Sequence, residues 1–323
     1  MIYKLTNLND GNLILFIGIL FAFTVTCILL YSLNSILPRD MGRDFAHEGK
    51  ISAGKPRGAG FLFIIVFILS SALFVKINNE MIVYLIFVAA EMLTGFLDDC
   101  AKTPWGEYRK GALDFAIAFM VSVSFLQFNS SQIRIESLNI DMTIPPVLFI
   151  ILATILIWAS INVTNCADGV DGLSGILAIV TLVTILAINE IKDTDQNFNH
   201  IIILFCMCIL GYLWYNITPS LMIMGDAGSR AMGIFIAIAI LKTGSPFLFI
   251  PVAFLLIMDG GLGLVKVSLL RFLKLRILTK IRTPLHDHVR KSWNWSNTQV
   301  VFRFATIQII ISIVVIYIML MNR

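Results

Sequence analysis

Charge is scarce in this sequence. Asp, Glu, Lys and Arg make up 14% of its 323 residues, 58% are hydrophobic, and mean hydropathy is +0.88. Soluble domains carry about a quarter charged residues, so a globular cytosolic enzyme and a disordered chain both fit poorly. Cysteine is scarce too. Of the five, Cys27, Cys206 and Cys208 lie in apolar runs, Cys100 and Cys166 lie at their ends, and no C-x-x-C occurs. That spacing excludes a disulfide scaffold and gives no redox or metal motif. What remains is a bilayer protein: at roughly 20 residues per span, the apolar complement allows about nine or ten helices.

Long apolar runs fall near residues 12–36, 59–77, 81–97, 111–128, 144–163, 172–189, 200–216, 231–243, 246–270 and 301–321. The expected fold is therefore all-α, a single integral membrane domain over 1–323 with about ten transmembrane helices. The first run is too long for a signal peptide and lacks its small-residue cleavage site, so it reads as a retained span. The eighth is short. The ninth is over-long and carries Pro251 and Gly260-Gly261, which fits either a kink or a helix that continues beyond the bilayer. Lys and Arg concentrate on the odd connections: Arg39, Arg43, Lys50, Lys55 and Arg57; Lys102, Arg109 and Lys110; Arg230; and Arg271 to Lys291. The even connections and the tails hold few. By the positive-inside rule the odd connections are cytoplasmic and both termini lie outside. A basic face of this kind suits anionic lipid or a phosphorylated substrate, and implies no nucleic acid.

The few acidic residues gather on the same face. Asp98-Asp99 closes the third span, where two adjacent carboxylates repel one another and oppose the helix dipole unless a cation compensates. That suits a general base or a Mg²⁺ ligand. The fifth connection reads Asn162-Val163-Thr164-Asn165-Cys166-Ala167-Asp168-Gly169-Val170-Asp171-Gly172, amides and carboxylates at intervals of three that could hold a nucleobase edge, a ribose or a hydrated metal. The seventh carries Met224-Gly225-Asp226-Ala227-Gly228-Ser229, which predicts an exposed carboxylate on a tight turn before a span. The ninth holds Pro284-Leu285-His286-Asp287-His288, whose histidines share a side if the segment is extended and suit phosphate contact or proton transfer. Within the spans, Glu91, Asp114, Asp259 and Lys266 are ionisable residues for which function is the default reading. Glu91 and Asp98, seven residues apart, share a helix face and could line one groove.

The series D-D-x-x-K, N-x-x-N-x-x-D-G-x-D-G, M-G-D-x-G-S and P-x-H-x-H, in this order on alternate connections, resembles the polyprenyl-phosphate N-acetylhexosamine-1-phosphate transferases. Pro284 to His288, Lys291-Ser292-Trp293 and Gln299 to Phe304 are most similar to the phospho-N-acetylmuramoyl-pentapeptide branch. Two departures stand out: Asp287 replaces a middle histidine, and Gly54-Lys55-Pro56-Arg57-Gly58-Ala59-Gly60 replaces the usual G-T-P-T-M-G-G. The second leaves Lys50 and Lys55 as rival substrate lysines.

The resemblance implies a bacterial plasma-membrane enzyme with its active site facing the cytoplasm. It would transfer phospho-N-acetylmuramoyl-pentapeptide from a UDP donor to undecaprenyl phosphate, giving lipid I and UMP with Mg²⁺. It implies Asp226 first, with Asp98 and Asp99, as metal ligands, and Asp98 as the group that deprotonates or positions the lipid phosphate; a covalent aspartyl route is the alternative. Asn165, Asp168 and Asp171 would hold the uridine with Asn162 nearby, Lys102 and Lys110 would meet the diphosphate, and His286, Asp287 and His288 the phosphate or sugar, with His288 counted among the catalytic residues beside Asp98, Asp99 and Asp226. Homodimers are also implied. A sister enzyme using UDP-N-acetylglucosamine is the rival within the class, and a secondary transporter or lipid flippase the rival outside it, disfavoured by polar clusters confined to one face and by the lack of repeats.

Overall fold

The computed structural model describes residues 11–42, 52–136 and 138–322. Its elements are α1 (Gly11–Ser32), α2 (Ala59–Phe74), α3 (Asn79–Asp99), α4 (Glu107–Phe128), a hairpin of β1 (Gln132–Ile135) and β2 (Ile140–Thr143), α5 (Pro146–Ala167), α6 (Leu173–Ile191), α7 (Gln196–Asn216), α8 (Gly225–Lys242), α9 (Pro246–Val252), α10 (Phe254–Leu273), α11 (Leu285–Trp293) and α12 (Asn297–Met321). The fold is mostly helical, and the antiparallel hairpin, pairing Gln132 with Thr143, is an addition that the all-α expectation lacked.

Among the described residues, seven helices are long and apolar enough to cross a bilayer, and eight if the α9–α10 pair counts as one span. The other two expected spans exist as helices but differ in kind. α2 has 16 residues, and α8 carries Asp226, Arg230 and Lys242. α8 tolerates them because it is the axis of the bundle. Every residue from Gly225 to Leu241 is buried, packed against α2, α3, α5 and α6, so the helix meets protein rather than lipid. Close approach makes this packing possible, as small residues do between membrane helices. A Cβ placed on Gly95 of α3 would come within 2.5 Å of the Asp226 backbone. The outer helices instead expose apolar side chains such as Phe16, Leu20, Ile151, Ile155, Ile310 and Ile313.

The ninth run is kinked, with a 72° break between α9 and α10 and one π-helical turn at Ile257–Gly261. Pro251 has no N–H for the helical ladder. Gln308 of α12 repairs the break: its amide donates to the carbonyls of Pro251 (3.1 Å) and Val252 (2.9 Å), and its carbonyl accepts from Leu255 N (2.9 Å). Freed backbone groups at bilayer depth need such a partner.

Candidate active site

Four segments converge where α3 ends and α4 and α8 begin. Asp98 accepts a hydrogen bond from Trp105 N at 2.6 Å, and its other oxygen lies 2.5 Å from Lys110 Nζ. Lys110 also reaches Asp226 at 3.0 Å. Asp99 accepts from the backbone N–H groups of Asp226 and Ala227, both at 3.1 Å, and thereby caps α8. Gly225 permits this: its φ is +71°, and a Cβ there would lie 2.3 Å from Asp99 Oδ2. Arg57 spans the cluster, 2.8 Å from Asp99, 3.3 Å from Asp226 and 3.3 Å from Asp40. Burial works to lower the Arg57 pKa, but Asp99, Asp226 and Asp40 outweigh it and hold the pKa above the ordinary value. With all four carboxylates ionised, the −4 of Asp40, Asp98, Asp99 and Asp226 meets +2 from Arg57 and Lys110, a surplus of −2.

A second group adjoins the first. Asn165, on the last turn of α5, donates to Ser229 Oγ at 3.2 Å, and Ser229 donates to Gly225 O one turn back on α8. Asp168 accepts from Ser174 Oγ at 2.6 Å. Asp171 accepts from Ser220 N at 3.1 Å, and Lys55 donates to Ser220 Oγ at 2.9 Å, so Lys55 and Asp171 meet through one serine. His286, buried at the start of α11, is fixed by Asp259 of the π turn, which accepts from its backbone N at 2.7 Å and contacts Nδ1 at 2.8 Å. The other ring nitrogen, Nε2, faces Gly169, where a Cβ would approach within 2.3 Å. Nε2 also lies 4.0 Å from Asp287 Oδ1, so the ring stands between two carboxylates.

Residues 81–244 match the family model described as Glycosyl transferase family 4. A protein of Treponema pallidum (strain Nichols) named phospho-N-acetylmuramoyl-pentapeptide-transferase is 37% identical over 317 residues, covering 93% of this chain and 86% of its own. Proteins of the same name from Petrotoga mobilis (28% over 320 residues, 94% and 96% covered) and a Nitratiruptor species (25% over 290 residues, 82% and 81% covered) are also similar. The chain belongs to the phospho-N-acetylmuramoyl-pentapeptide-transferase family.

Not every residue expected to serve a transferase of this family is at the cluster. Lys50 lies outside the described residues. Lys102 is exposed on the connection after α3. Asn162 sits deeper, its amide on Trp158 O and 3.5 Å from Asp114 Oδ2. The histidines of P-x-H-x-H do not share a side, because the segment is helical and two residues turn through about 200°. His286 faces Asp259, whereas His288 accepts from Arg282 N at 3.4 Å and lies edge-on to Trp293. Asp287, in the middle position, lies 3.6 Å from Arg290 and 3.8 Å from Arg282. Asp226 is buried on the first turn of α8 rather than exposed on a loop, and Asn162 and Asn165 belong to α5 rather than to a connection. Glu91 and Asp98 do not line one groove, since Glu91 is fully buried against Arg230.

Arg57 and Asp40 are the site residues that sequence reasoning missed as such. The signal for Arg57 was its place in the stretch that departs from the family pattern. Asp40 had none.

Among the described residues, no three His, Cys, Asp or Glu side chains are arranged to hold a metal. The donor chemistry nevertheless suits a hard cation, with carboxylate oxygens and surplus negative charge. In this conformation the Lys110 ammonium lies between Asp98 and Asp226, the place a cation would take.

Proposed function

We propose that this chain transfers phospho-N-acetylmuramoyl-pentapeptide from its UDP-activated donor to undecaprenyl phosphate, giving lipid I and UMP for peptidoglycan synthesis. The observation that carries the reading is the cluster of Asp98, Asp99, Asp226, Lys110 and Arg57 at one end of a membrane bundle, in a chain whose relatives bear that enzyme's name. One reactant is a membrane lipid and the other is soluble, so the reacting centre must lie at a bilayer face, where these helix ends lie. Both reactants are anionic, so their approach requires neutralisation.

The residues divide the work as follows. Asp226 and Asp98 are the residues that would hold Mg²⁺, which would supply charge neutralisation to the anionic reactants. Lys110 and Arg57 supply positive charge beside them. Asp98 positions or deprotonates the attacking lipid phosphate. Asp99, engaged by two backbone N–H groups and Arg57, holds the start of α8 in place. Asn165, Asp168 and Asp171 form the wall for the uridine, and His286, oriented by Asp259, presents Nε2 toward the same loop.

We assign the site end to the cytoplasmic side of the bacterial plasma membrane, with ten spans and both termini outside. Support comes from charge: the site end carries most of the Lys and Arg, whereas at the opposite end Lys242 pairs with Glu80, Lys192 with Glu136, and Arg134 with Glu136 and Asp141.

The test is UMP release by purified protein given undecaprenyl phosphate, Mg²⁺ and UDP-N-acetylmuramoyl-pentapeptide. Release with UDP-N-acetylglucosamine alone would move the protein to the sister activity. Uptake of the donor into vesicles without UMP would make it a transporter.

A further inference from the structure

Beneath the cluster lies a second layer of charge on the same three helices. Arg230 of α8 lies 3.0 Å from Glu91 of α3 through Nε and contacts Asp114 of α4 through Nη2. All three side chains are buried. The spacing repeats that of the cluster above. On α8, Arg230 follows Asp226 by four residues; on α4, Asp114 follows Lys110 by four; on α3, which runs the other way, Glu91 precedes Asp98 by seven. Steps of four and seven return to nearly the same helix face, about 6 and 10 Å along the axis. The acid on α3 is kept in both layers, while α4 and α8 exchange signs: the cation sits on α4 in the upper layer and on α8 in the lower.

An ion triad at this depth is a poor source of stability, because apolar residues of similar volume hold helices together as well or better, and its best-attested use is to set registry. A turn of α8 to another face, or a slip by a helical turn, would carry Arg230 away from the acids it meets on α3 and α4. The setting of α8 that keeps these contacts brings Asp226 to Asp98 and Lys110 one turn above, and brings the Asp226 and Ala227 N–H groups onto Asp99.

We propose that Arg230 is a positioning residue for the reaction: held by Glu91 and Asp114, it locks the register of α8 so that Asp226 faces Asp98 and Lys110. This rests on the assignment of Asp226 to the reacting centre.

Removing Arg230 alone strands two carboxylates in the bilayer, so the first variant neutralises the whole layer: Glu91→Gln, Asp114→Asn and Arg230→Met together. Arg230→Lys, with both acids retained, is the second, and it carries the same two readouts if the triple variant does not fold. In purified protein, amide hydrogen exchange is measured over residues 224–229 and over α6 and α7, beside kcat and donor KM for UMP release.

The triple variant is expected to exchange faster by about tenfold at 224–229, with α6 and α7 unchanged, and kcat is expected to fall about 10- to 100-fold at unchanged donor KM, as misplacement of a reacting group by an ångström does. Arg230→Lys should fall between it and the parent. Parent-level exchange at 224–229, exchange accelerated equally over α6 and α7, or parent-level kcat each overturn the proposal. A parent protein that releases no UMP defeats the functional reading instead, and the exchange measurement still decides the register.

Discussion

Lys110→Met offers a sharp test of how the cluster manages its charge. Lys110 Nζ lies 2.5 Å from Asp98 and 3.0 Å from Asp226. At an effective dielectric constant of about 20, unit charges 3 Å apart attract by about 5 to 6 kcal/mol before desolvation is counted. Breaking a fully buried pair by deleting one partner costs about 3–5 kcal/mol net. The Lys110 side chain keeps 27% of its exposure, so solvent screening brings the expected loss to about 2 kcal/mol.

Mg²⁺ should then reverse part of that loss. With the ammonium gone, a cation can take its place against the Asp98 and Asp226 oxygens it contacted, and about 10 mM Mg²⁺ acting at a Kd of about 1 mM would return about 1.4 kcal/mol. The parent protein should gain less, because Lys110 must first be displaced. The assay is the thermal midpoint of purified protein in detergent, with and without Mg²⁺, against NaCl of matched ionic strength. Two results would overturn this charge balance. A Lys110→Met variant as stable as the parent without Mg²⁺ would show that the ammonium does not neutralise the carboxylates. An equal Mg²⁺ gain in both proteins would show that it does not occupy the cation's place.

Asp226→Asn and Asp98→Asn each remove one of four clustered negative charges, so UMP release should fall at least about 100-fold while the thermal midpoint stays close to the parent's; near-normal turnover in Asp226→Asn would sink the metal assignment. Asp287→His should be tolerated, with turnover within a few-fold of the parent, because the arginine contacts it gives up are long, at 3.6 and 3.8 Å; loss of activity would give that carboxylate a role of its own. At the opposite end, burial works to raise the Glu136 pKa, but Lys192, Ser245 and Arg134 overcome it and hold the pKa below the ordinary value. A depressed carboxylate contributes stability above its unfolded pKa of about 4.3, lost as pH falls through the folded value. Glu136→Gln should therefore show a flatter thermal midpoint between about pH 5 and 3 than the parent.

Much of the architecture follows from one-dimensional pattern. Each predicted apolar run corresponds to a helix or, for the ninth, to a bent pair, because lipid leaves the backbone few other ways to satisfy its N–H and C=O groups. The break near Pro251 was readable for a local reason, the missing N–H of proline. Asp98, Asp99 and Asp226 were readable because carboxylates are conspicuous where charge is rare. The hairpin was not, since its four-residue strands form only against each other and the end of the bundle.

Hydropathy and spacing alone tell which residues cannot face lipid and at which end of the helices they fall. Their pairing comes only from the packed helices. Arg57 joins Asp99 across 42 residues, Lys110 joins Asp226 across 116, and Arg230 finds partners on two other helices. Neither hydropathy nor spacing encodes those distances. They arise when α8, too polar for lipid by itself, is enclosed by its neighbours, and its charges must find partners on the helices that enclose it.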